Sequence, residues 1–599
     1  MNVLIKKYQT LEAQYQTLFE QESQKGNTVA GIRLAVAMAF FIAVYYFFNA
    51  QNWVALSVVG LGLFVLFLIL VVVHNKIQAK TRFFELLKKV NTNEIAYLNG
   101  DLSPFNAGNE FIDTDHPYST DLDFFGHKSI FQHLDRTTTI IGRNELANAI
   151  QNPNVSDILN VQKAVKELSD LIDWRQQFIA AGMTYVGDDV NKNFNIWLER
   201  PPQYLPKMGL KILSFVLPAC AVVAFGSYLF TDWIHAFTFL KIFGIANLLI
   251  VAAQMKHIKE EHQLLANIHT SLQKYSYLLQ IIENQSFTSS KLIESKQNIS
   301  SEKILASKAI KNLSQILSQF DAIYNPFAAF ISNGLFQYHI HALFNLEKWR
   351  ADFGSNVPEW FNAIAEFEAL ASMGNFAYNN PDFVFPLPNT EGVLDMKNVG
   401  HPLIPKAKRI MNDVVFRDTK FIVLTGSNMS GKSTFLRTLG VNLVMAKMGL
   451  PVCASEFSFY PINVFVSMRV SDSLQNDESF FFAELKRLQQ IIAELDKNNQ
   501  TFVILDEILR GTNSNDKRAG TIGLIKNLMA KQAVGIIATH DLVIGDMEKE
   551  FPNYLKNKCF EVEIINEELH FDYKLKDGVC QQMSAAFLMN KMGIIVQSL

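Results

Sequence analysis

LTGSNMSGKST, residues 424–434, decides how the rest of the chain is read. An apolar run, Phe421-Ile-Val-Leu424, leads straight into Gly426-Ser427-Asn428-Met429-Ser430-Gly431-Lys432-Ser433-Thr434. The spacing is G-x-x-x-x-G-K-[ST] between a strand and a helix, the context a phosphate-binding loop requires. Its glycines let backbone N–H groups turn inward around phosphate oxygens, and the helix that follows points its positive end at them. Lys432 is placed for the β and γ phosphates and Ser433 for Mg2+. A plain Gly/Ser-rich turn is the alternative, and the flanks weigh against it. The expectation is a nucleoside triphosphate site using ATP and Mg2+.

Further segments extend the constellation. FVILDE (502–507) is a buried strand ending in two acids: Asp506 to hold Mg2+, directly or through water, and Glu507 to polarise the attacking water. GIIATHD (535–541) is another apolar strand, ending in His540, which suits a γ-phosphate contact. GTNSND (511–516) is a polar loop placed for contact between two such units, and it ends in Asp516. SFFFAE (479–484) opens a helix after the acidic loop SDSLQNDE, with Ser479 as its N-cap. Alternating strand and helix signals from about residue 392 onward predict a parallel-rich sheet covered by helices.

Upstream the character changes. Residues 29–48 are apolar apart from Arg33, and 53–73 carry no charge. Each is about 20 residues, enough to cross a hydrocarbon core as a helix. Tyr45, Tyr46 and Trp53 stand by the short uncharged turn between them, and lysines and arginines flank both outer ends. Basic flanks predict that both ends are cytoplasmic. A second apolar pair, about 212–230 and 234–253, carries Pro218, His235 and Lys241, and is likewise flanked by lysines. From 254 to 325 there is no glycine or proline, and apolar residues recur three and four apart. One or two very long helices are expected there, on the order of 100 Å if unbroken, with 284–302 as the break or tip.

The bulk numbers fit this picture. Lys and Arg total 54 against 57 Asp and Glu, a net charge of -3, so no global basic footprint announces nucleic acid. The four cysteines stand far apart with no C-x-x-C, which indicates neither a zinc site nor a disulfide framework.

The combination resembles the MutS family of ABC-type ATPases. TGSNMSGKST is similar to that family's TGPNMGGKST, ILDEILRGTNSND (504–516) to LLDEIGRGTSTYD, and IATHD to its ATH. SDSLQNDESFFFAE is similar to its S-D-x-L-x-x-G-x-S-T-F-x-x-E segment. SIFQHLDRTTTIIGRNELANAI (129–150) and FEALASMGNFAYNNPDFVFP (367–386) resemble the two ends of its core domain. HPLIPKAKRIMNDVVF (401–416) and YKLKDGVCQQMSAAFLMNKMGI (573–594) resemble the entry and the close of its ATPase domain. The resemblance covers about 118–200 and 255–595. It departs at Ser427 and Ser430 (Pro and Gly in the family), at Asp477 (Gly) and Leu509 (Gly), and adds a second acid, Glu478. Membrane-type segments stand where the family has its mismatch-reading and connector domains.

The resemblance implies a slow, dimer-dependent ATPase. Lys432, Ser433, Asp506, Glu507 and His540 would act within one subunit, Ser479 would reach the partner's γ-phosphate, and Asp516 would lie at that interface. The expected architecture is multidomain, α plus α/β. It comprises an N-terminal helix and transmembrane hairpin (1–90), a first core part (91–205), a second hairpin (206–254), lever helices with the second core part (255–390), and a P-loop ABC-type ATPase domain (391–599). The expected partners are a second copy, the inner or cytoplasmic membrane and double-stranded DNA. Lys291, Lys296, Lys303, Lys308 and Lys311 would hold DNA in a role related to mismatch repair. The alternative is a membrane-associated mechanochemical or scaffold ATPase with no nucleic-acid role. An ABC transporter is disfavoured, because two hairpins with tiny outer loops offer little pathway.

Overall fold

The computed structural model describes residues 2–581 and 589, apart from 186–191, 232, 266–267, 300–304, 322–324, 469–479, 498–499 and 566–567. The described chain is mostly α-helical, with a mixed β region near its C-terminus. The first apolar segment is no separate element. It is the second half of one helix, Asn2–Asn49, and the next segment is the first half of another, Trp53–Leu98. At 1.5 Å per residue each is about 70 Å long. Asn52 caps the second by accepting the Ala55 N–H at 3.0 Å. The apolar halves turn their side chains outward, with Phe41 70% and Tyr45 74% exposed. The polar halves lie on the rest of the molecule, where the Tyr8 hydroxyl donates to Asn379 at 2.9 Å.

The second pair comprises Met208–Phe230 and Ala236–Leu264. His235 is the N-cap of the latter rather than a residue within it, and the helix runs on past residue 253. Among the described residues four helices are thus long and apolar enough to cross a membrane, which supports a multi-pass topology.

Among the described residues, 254–325 are largely helical and the break expected within 284–302 is present, but no single helix runs on the order of 100 Å. The described chain there breaks after Leu264 and again after Asn284, giving Ile268–Asn284, Ser290–Gln297 and Ala306–Phe320. The reason is tertiary. Leu272, Leu279, Ile310 and Leu317 form apolar stripes that are buried when two short helices lie side by side. Ser307 ties them together, donating its backbone N–H to Glu283 at 2.9 Å and accepting from the Ser276 hydroxyl through its carbonyl at 2.9 Å. The turn at 285–289 is held by Glu167, whose carboxylate accepts the N–H groups of Thr288 and Ser289. The longest helices of the molecule are instead the two that carry the first apolar pair.

Helix Val357–Asn379 is the hub of the core. Glu94, from the long second helix, forms a two-point ion pair with Arg136, and both side chains are 3% exposed. Asn375 and Asn379 donate to the same carboxylate at 3.1 and 2.8 Å. Satisfied on all sides, the buried pair fixes one docking of the N-terminal helices on the core. Glu368 accepts from the Thr138 N–H and hydroxyl and from the Thr139 hydroxyl. Burial nonetheless holds its carboxyl up at about 7. The folded protein therefore keeps a proton that the unfolded chain, with an ordinary value of 4.5, gives up. That contribution is full below the unfolded value and is lost as pH rises towards the folded one. Glu368→Gln keeps the acceptor and the shape. It is expected to flatten the pH dependence of unfolding and to be the more stable protein at about pH 8, by on the order of 2 kcal/mol. Denaturant unfolding at a series of pH values checks this.

Among the described residues the β region holds ten strands: β1 (Leu387–Pro388), β2 (Leu394–Val399), β3 (Asn412–Phe416), β4 (Phe421–Gly426), β5 (Glu456–Phe459), β6 (Asn463–Ser467), β7 (Thr501–Asp506), β8 (Val534–Thr539), β9 (Leu555–Ile565) and β10 (Glu568–Asp577). A four-stranded sheet has the order β1-β5-β2-β3, and a six-stranded sheet the order β10-β9-β4-β8-β7-β6. In the larger sheet only β9–β10 is antiparallel. β4, β7 and β8 are buried along their whole length, as central parallel strands must be. The apolar core runs without interruption from residues 118–150 through helix Val357–Asn379 to this sheet.

Candidate nucleotide site

Three parallel strands bring the motif residues together. In the register of the sheet Thr425 pairs with Thr539, and Ala538 with Asp506. The ends of β4, β8 and β7 are therefore neighbours, and Gly426, His540 and the 506–507 acid pair share one edge. Helix Lys432–Lys447 starts there, with Gly431 as N-cap at φ 99°. Neither glycine tolerates a side chain. A Cβ on Gly426 would stand 2.9 Å from the Phe560 carbonyl oxygen, and one on Gly431 3.0 Å from the Tyr573 ring.

Lys432 is 5% exposed and folds back over the loop, donating to the Gly426 and Ser427 carbonyls at 3.0 Å each. Burial pulls its ammonium below the usual lysine value, while the nearby carboxylates of Glu507 and Asp506 oppose that shift. The Ser433 hydroxyl donates to Asp506 Oδ2 at 2.6 Å. Asp506 Oδ1 and the Ser430 hydroxyl are buried polar atoms with no hydrogen-bond partner in the protein. Burial raises the Asp506 carboxyl.

His540 bridges the two halves of the site. Its Nδ1 lies 2.9 Å from the Gly426 carbonyl oxygen and its Nε2 2.7 Å from Glu507 Oε1. Both neighbours are acceptors. The hydrogen bond from His540 pulls the Glu507 carboxyl down to about 2. Arg510 Nη2 is 3.5 Å from the other Glu507 oxygen.

Of the two residues expected at a subunit interface, Asp516 lies exposed in the first turn of helix Ser514–Ala530, held by Asn513 at 2.7 Å. Ser479, with Asp477 and Glu478, lies outside the described residues. Helix Phe480–Lys497 begins just after it, as expected.

Other participants lie in the flanking segments 401–416 and 573–594, where no single residue was expected at the site. A cavity of about 420 Å3 beside the loop is lined by Asn428–Thr438 residues on one side and by His401, Ile404, Lys408, Asn412 and Tyr573 on the other. The second wall comes from a segment about 14 to 25 residues before Gly426 and from another more than 100 residues after the loop, so no local spacing marks it. A larger cavity of about 1060 Å3, between the N-terminal helices and the core, includes none of the expected site residues.

Glu484 is a positioning residue. It is 3% exposed and accepts the N–H groups of Leu509 and Arg510 at 2.6 and 3.1 Å, tying helix Phe480–Lys497 to the loop behind the acid pair. Leu509 keeps a left-handed backbone, φ 60°, at a cost of about 1–2 kcal/mol for a non-glycine residue. Its side chain is buried against Gly520, where a Cβ would stand 2.6 Å from it. Glu484→Ala strands both N–H groups and is expected to lower stability by about 2 kcal/mol, with Glu484→Gln between the two. Thermal unfolding of the three proteins side by side measures this.

Comparison with known proteins adds the following. Residues 422–594 match the family model for MutS domain V. The DNA mismatch repair protein MutS of Thermotoga maritima is 31% identical over 226 residues, covering 37% of this chain and 28% of that protein. Endonuclease MutS2 of Clostridium perfringens is 28% identical over 238 residues, 39% of this chain and 29% of that protein. MutS protein homolog 4 of Homo sapiens is 27% identical over 256 residues, 41% and 25% of the two chains. The chain therefore spans under a third of the length of these relatives. The resemblance read at 118–200 lies outside the domain V match. The C-terminal region, from β4 onward, is distantly homologous to domain V of the MutS family.

Proposed function

We propose that this protein is a membrane-anchored ATPase. A P-loop unit of the ABC type would bind ATP at residues 426–434, dimerise around two nucleotides, and use the cycle to move the long membrane helices against the core. The observation that carries this reading is the convergence of Lys432, Ser433, Asp506, Glu507 and His540 on one sheet edge, in a chain with four helices able to cross a membrane.

The residues fit Mg2+. A hydroxyl and a carboxylate lie side by side, and the carboxylate has one buried oxygen to spare. Among the described residues no three His, Cys, Asp or Glu side chains converge on a metal. The ion would thus rest on Ser433, Asp506, water and the nucleotide, as Mg2+ in phosphate sites does. When bound it supplies charge neutralisation of the phosphates. The Lys432 ammonium would leave the two loop carbonyls for phosphate oxygens. His540 would turn a ring N–H to the γ-phosphate and release Glu507, whose carboxylate would then orient water. The basic flanks of the apolar segments support a cytoplasmic site.

A DNA role, as the printed names of some relatives suggest for those proteins, has thinner support. Lys291 is engaged by Asp157 and Glu366, and Lys296 by the Gln285 carbonyl. Lys303 lies outside the described residues, and Lys308 and Lys311 are exposed on a 15-residue helix rather than on a paired lever. A mechanochemical or scaffold role at the membrane is therefore the better reading. The test is detergent-purified protein assayed for ATP turnover and for binding of homoduplex, mismatched and branched DNA across a salt series. Turnover with no salt-dependent DNA binding in any nucleotide state is expected. Binding that weakens steeply with salt and responds to ATP would restore the DNA role. Absence of nucleotide binding would overturn the ATPase.

A further inference from the structure

We infer that helix Pro326–Phe336 is a fifth membrane element, a half-length helix seated in the cytoplasmic leaflet with its phenylalanines among lipid acyl chains. Its eleven residues, PFAAFISNGLF, carry no charge. Phe327 is 76% exposed, Phe330 62%, Ile331 43% and Phe336 51%, while Asn333 and Gly334 are buried. At 1.5 Å per residue the helix is about 16 Å long, half of a hydrocarbon core. A soluble surface with this many bare aromatic and aliphatic side chains on three turns would be an aggregation liability.

Its neighbours place it. The helix packs against both members of the second apolar pair. A Cβ on Gly334 would stand 3.9 Å from Leu248, and one on Gly244 3.9 Å from the Gly334 carbonyl oxygen. Asn247, fully buried within helix Ala236–Leu264, donates to that carbonyl at 2.8 Å and accepts from Gln337 at 2.8 Å. Asn247 lies nine residues, about 13 Å along a helix axis, from Lys256, the first basic residue at its cytoplasmic end. The end of the short helix thus sits near mid-membrane depth.

At Gln337 (φ 46°) the chain turns, and helix Tyr338–Phe353 leads back to the core, where Trp349 donates to the Ala309 carbonyl at 2.8 Å. The turn is polar, as a chain reversal in hydrocarbon requires. Asn333 meets the backbone N–H of His339 at 3.1 Å, and His341 reaches the Ser214 carbonyl in the other apolar helix at 2.9 Å. The outward face of Pro326–Phe336 continues the lipid-facing surface of Phe215, Ile245 and Leu249, which are 60%, 58% and 64% exposed. That continuity assigns the face to acyl chains rather than to a protein partner.

The test uses the full chain in phosphatidylcholine vesicles containing a lipid with a photoactivatable diazirine on its acyl chain, read by peptide mass spectrometry. Labelling of 326–336 within about twofold of that in residues 236–253 is expected, with helix Lys432–Lys447 at background. Labelled spans with an unlabelled 326–336 would overturn the inference, and a cross-link from this face to a second copy would reassign it to a dimer contact. Unlabelled spans would instead overturn the membrane reading on which it rests. Neither outcome bears on the nucleotide site.

Discussion

Lys432→Met is expected to abolish the stabilisation of this protein by ATP while leaving the fold intact. The Lys432 ammonium is buried, with the Gly426 and Ser427 carbonyl oxygens as its hydrogen-bond partners. Burying a charge with so little compensation is costly. Removing it leaves the Gly426 carbonyl still served by His540 and costs the free protein little. With nucleotide the loss is large, because an ammonium facing phosphate oxygens makes charge-assisted hydrogen bonds, each of about 1.5–3 kcal/mol. A fall in ATP affinity of about 100-fold or more follows. The check is the shift in unfolding temperature over a series of ATP concentrations. Wild type should rise with ATP as ligand linkage requires, and the variant should stay flat from the same starting point. A variant that unfolds early without ATP would show that the lysine is structural.

Glu507→Gln is expected to separate binding from turnover. The carboxylate sits at the end of β7 with its N–H donated to the Ala538 carbonyl at 3.0 Å, and its backbone is left-handed, φ 47°. Those constraints hold the side chain beside Ser433 and Asp506 whatever its charge. The amide keeps size and position but loses the negative charge that faces His540 and polarises water. Turnover should fall by about 100-fold or more, the range for removing a general base, with ATP affinity kept within a few-fold. The ATP-bound dimer should accumulate in light scattering. Because His540 holds the carboxyl near 2, Glu507 is ionised over the whole neutral range. Loss of activity between about pH 7 and 5 would therefore not be protonation of Glu507 in the free protein. His540→Ala tests the same lock from the other side, since it removes the ring whose Nε2 lies 2.7 Å from Glu507 Oε1.

Much of this site is local in sequence. The loop, the acid pair and the histidine each end an apolar run, so strand, turn and side chain are read from one short segment. Their convergence follows once the strands are parallel neighbours. The apolar pairs were equally plain, because crossing a membrane demands about 20 uncharged residues in a row whatever surrounds them. Missed features have distant causes. His401 and Tyr573 line the cavity because β10 and the segment before β3 fold back across the loop, with the Asn412 side chain donating to the Tyr573 carbonyl. Glu484 matters only because Leu509 and Arg510 come to lie against it, 25 and 26 residues on.

The 254–325 region draws the line between the two kinds of information. Its sequence determines that it is helical and which face is apolar, because periodicity and the absence of glycine and proline are properties of neighbouring residues. The polar run 284–302 marks one break, but the sequence does not determine the exact residues at which the helices end. That depends on Glu167 receiving the turn at Thr288 and Ser289, and on Ser307 meeting Ser276 and Glu283. The same holds for Pro326–Phe336. Its composition marks it as apolar, but an eleven-residue apolar helix fits a buried core as readily as a membrane. Only its seating on Asn247 and Gly244, with the phenylalanines turned outward, decides between them. Local sequence fixes the conformation a segment prefers, whereas the surface it buries belongs to the tertiary structure.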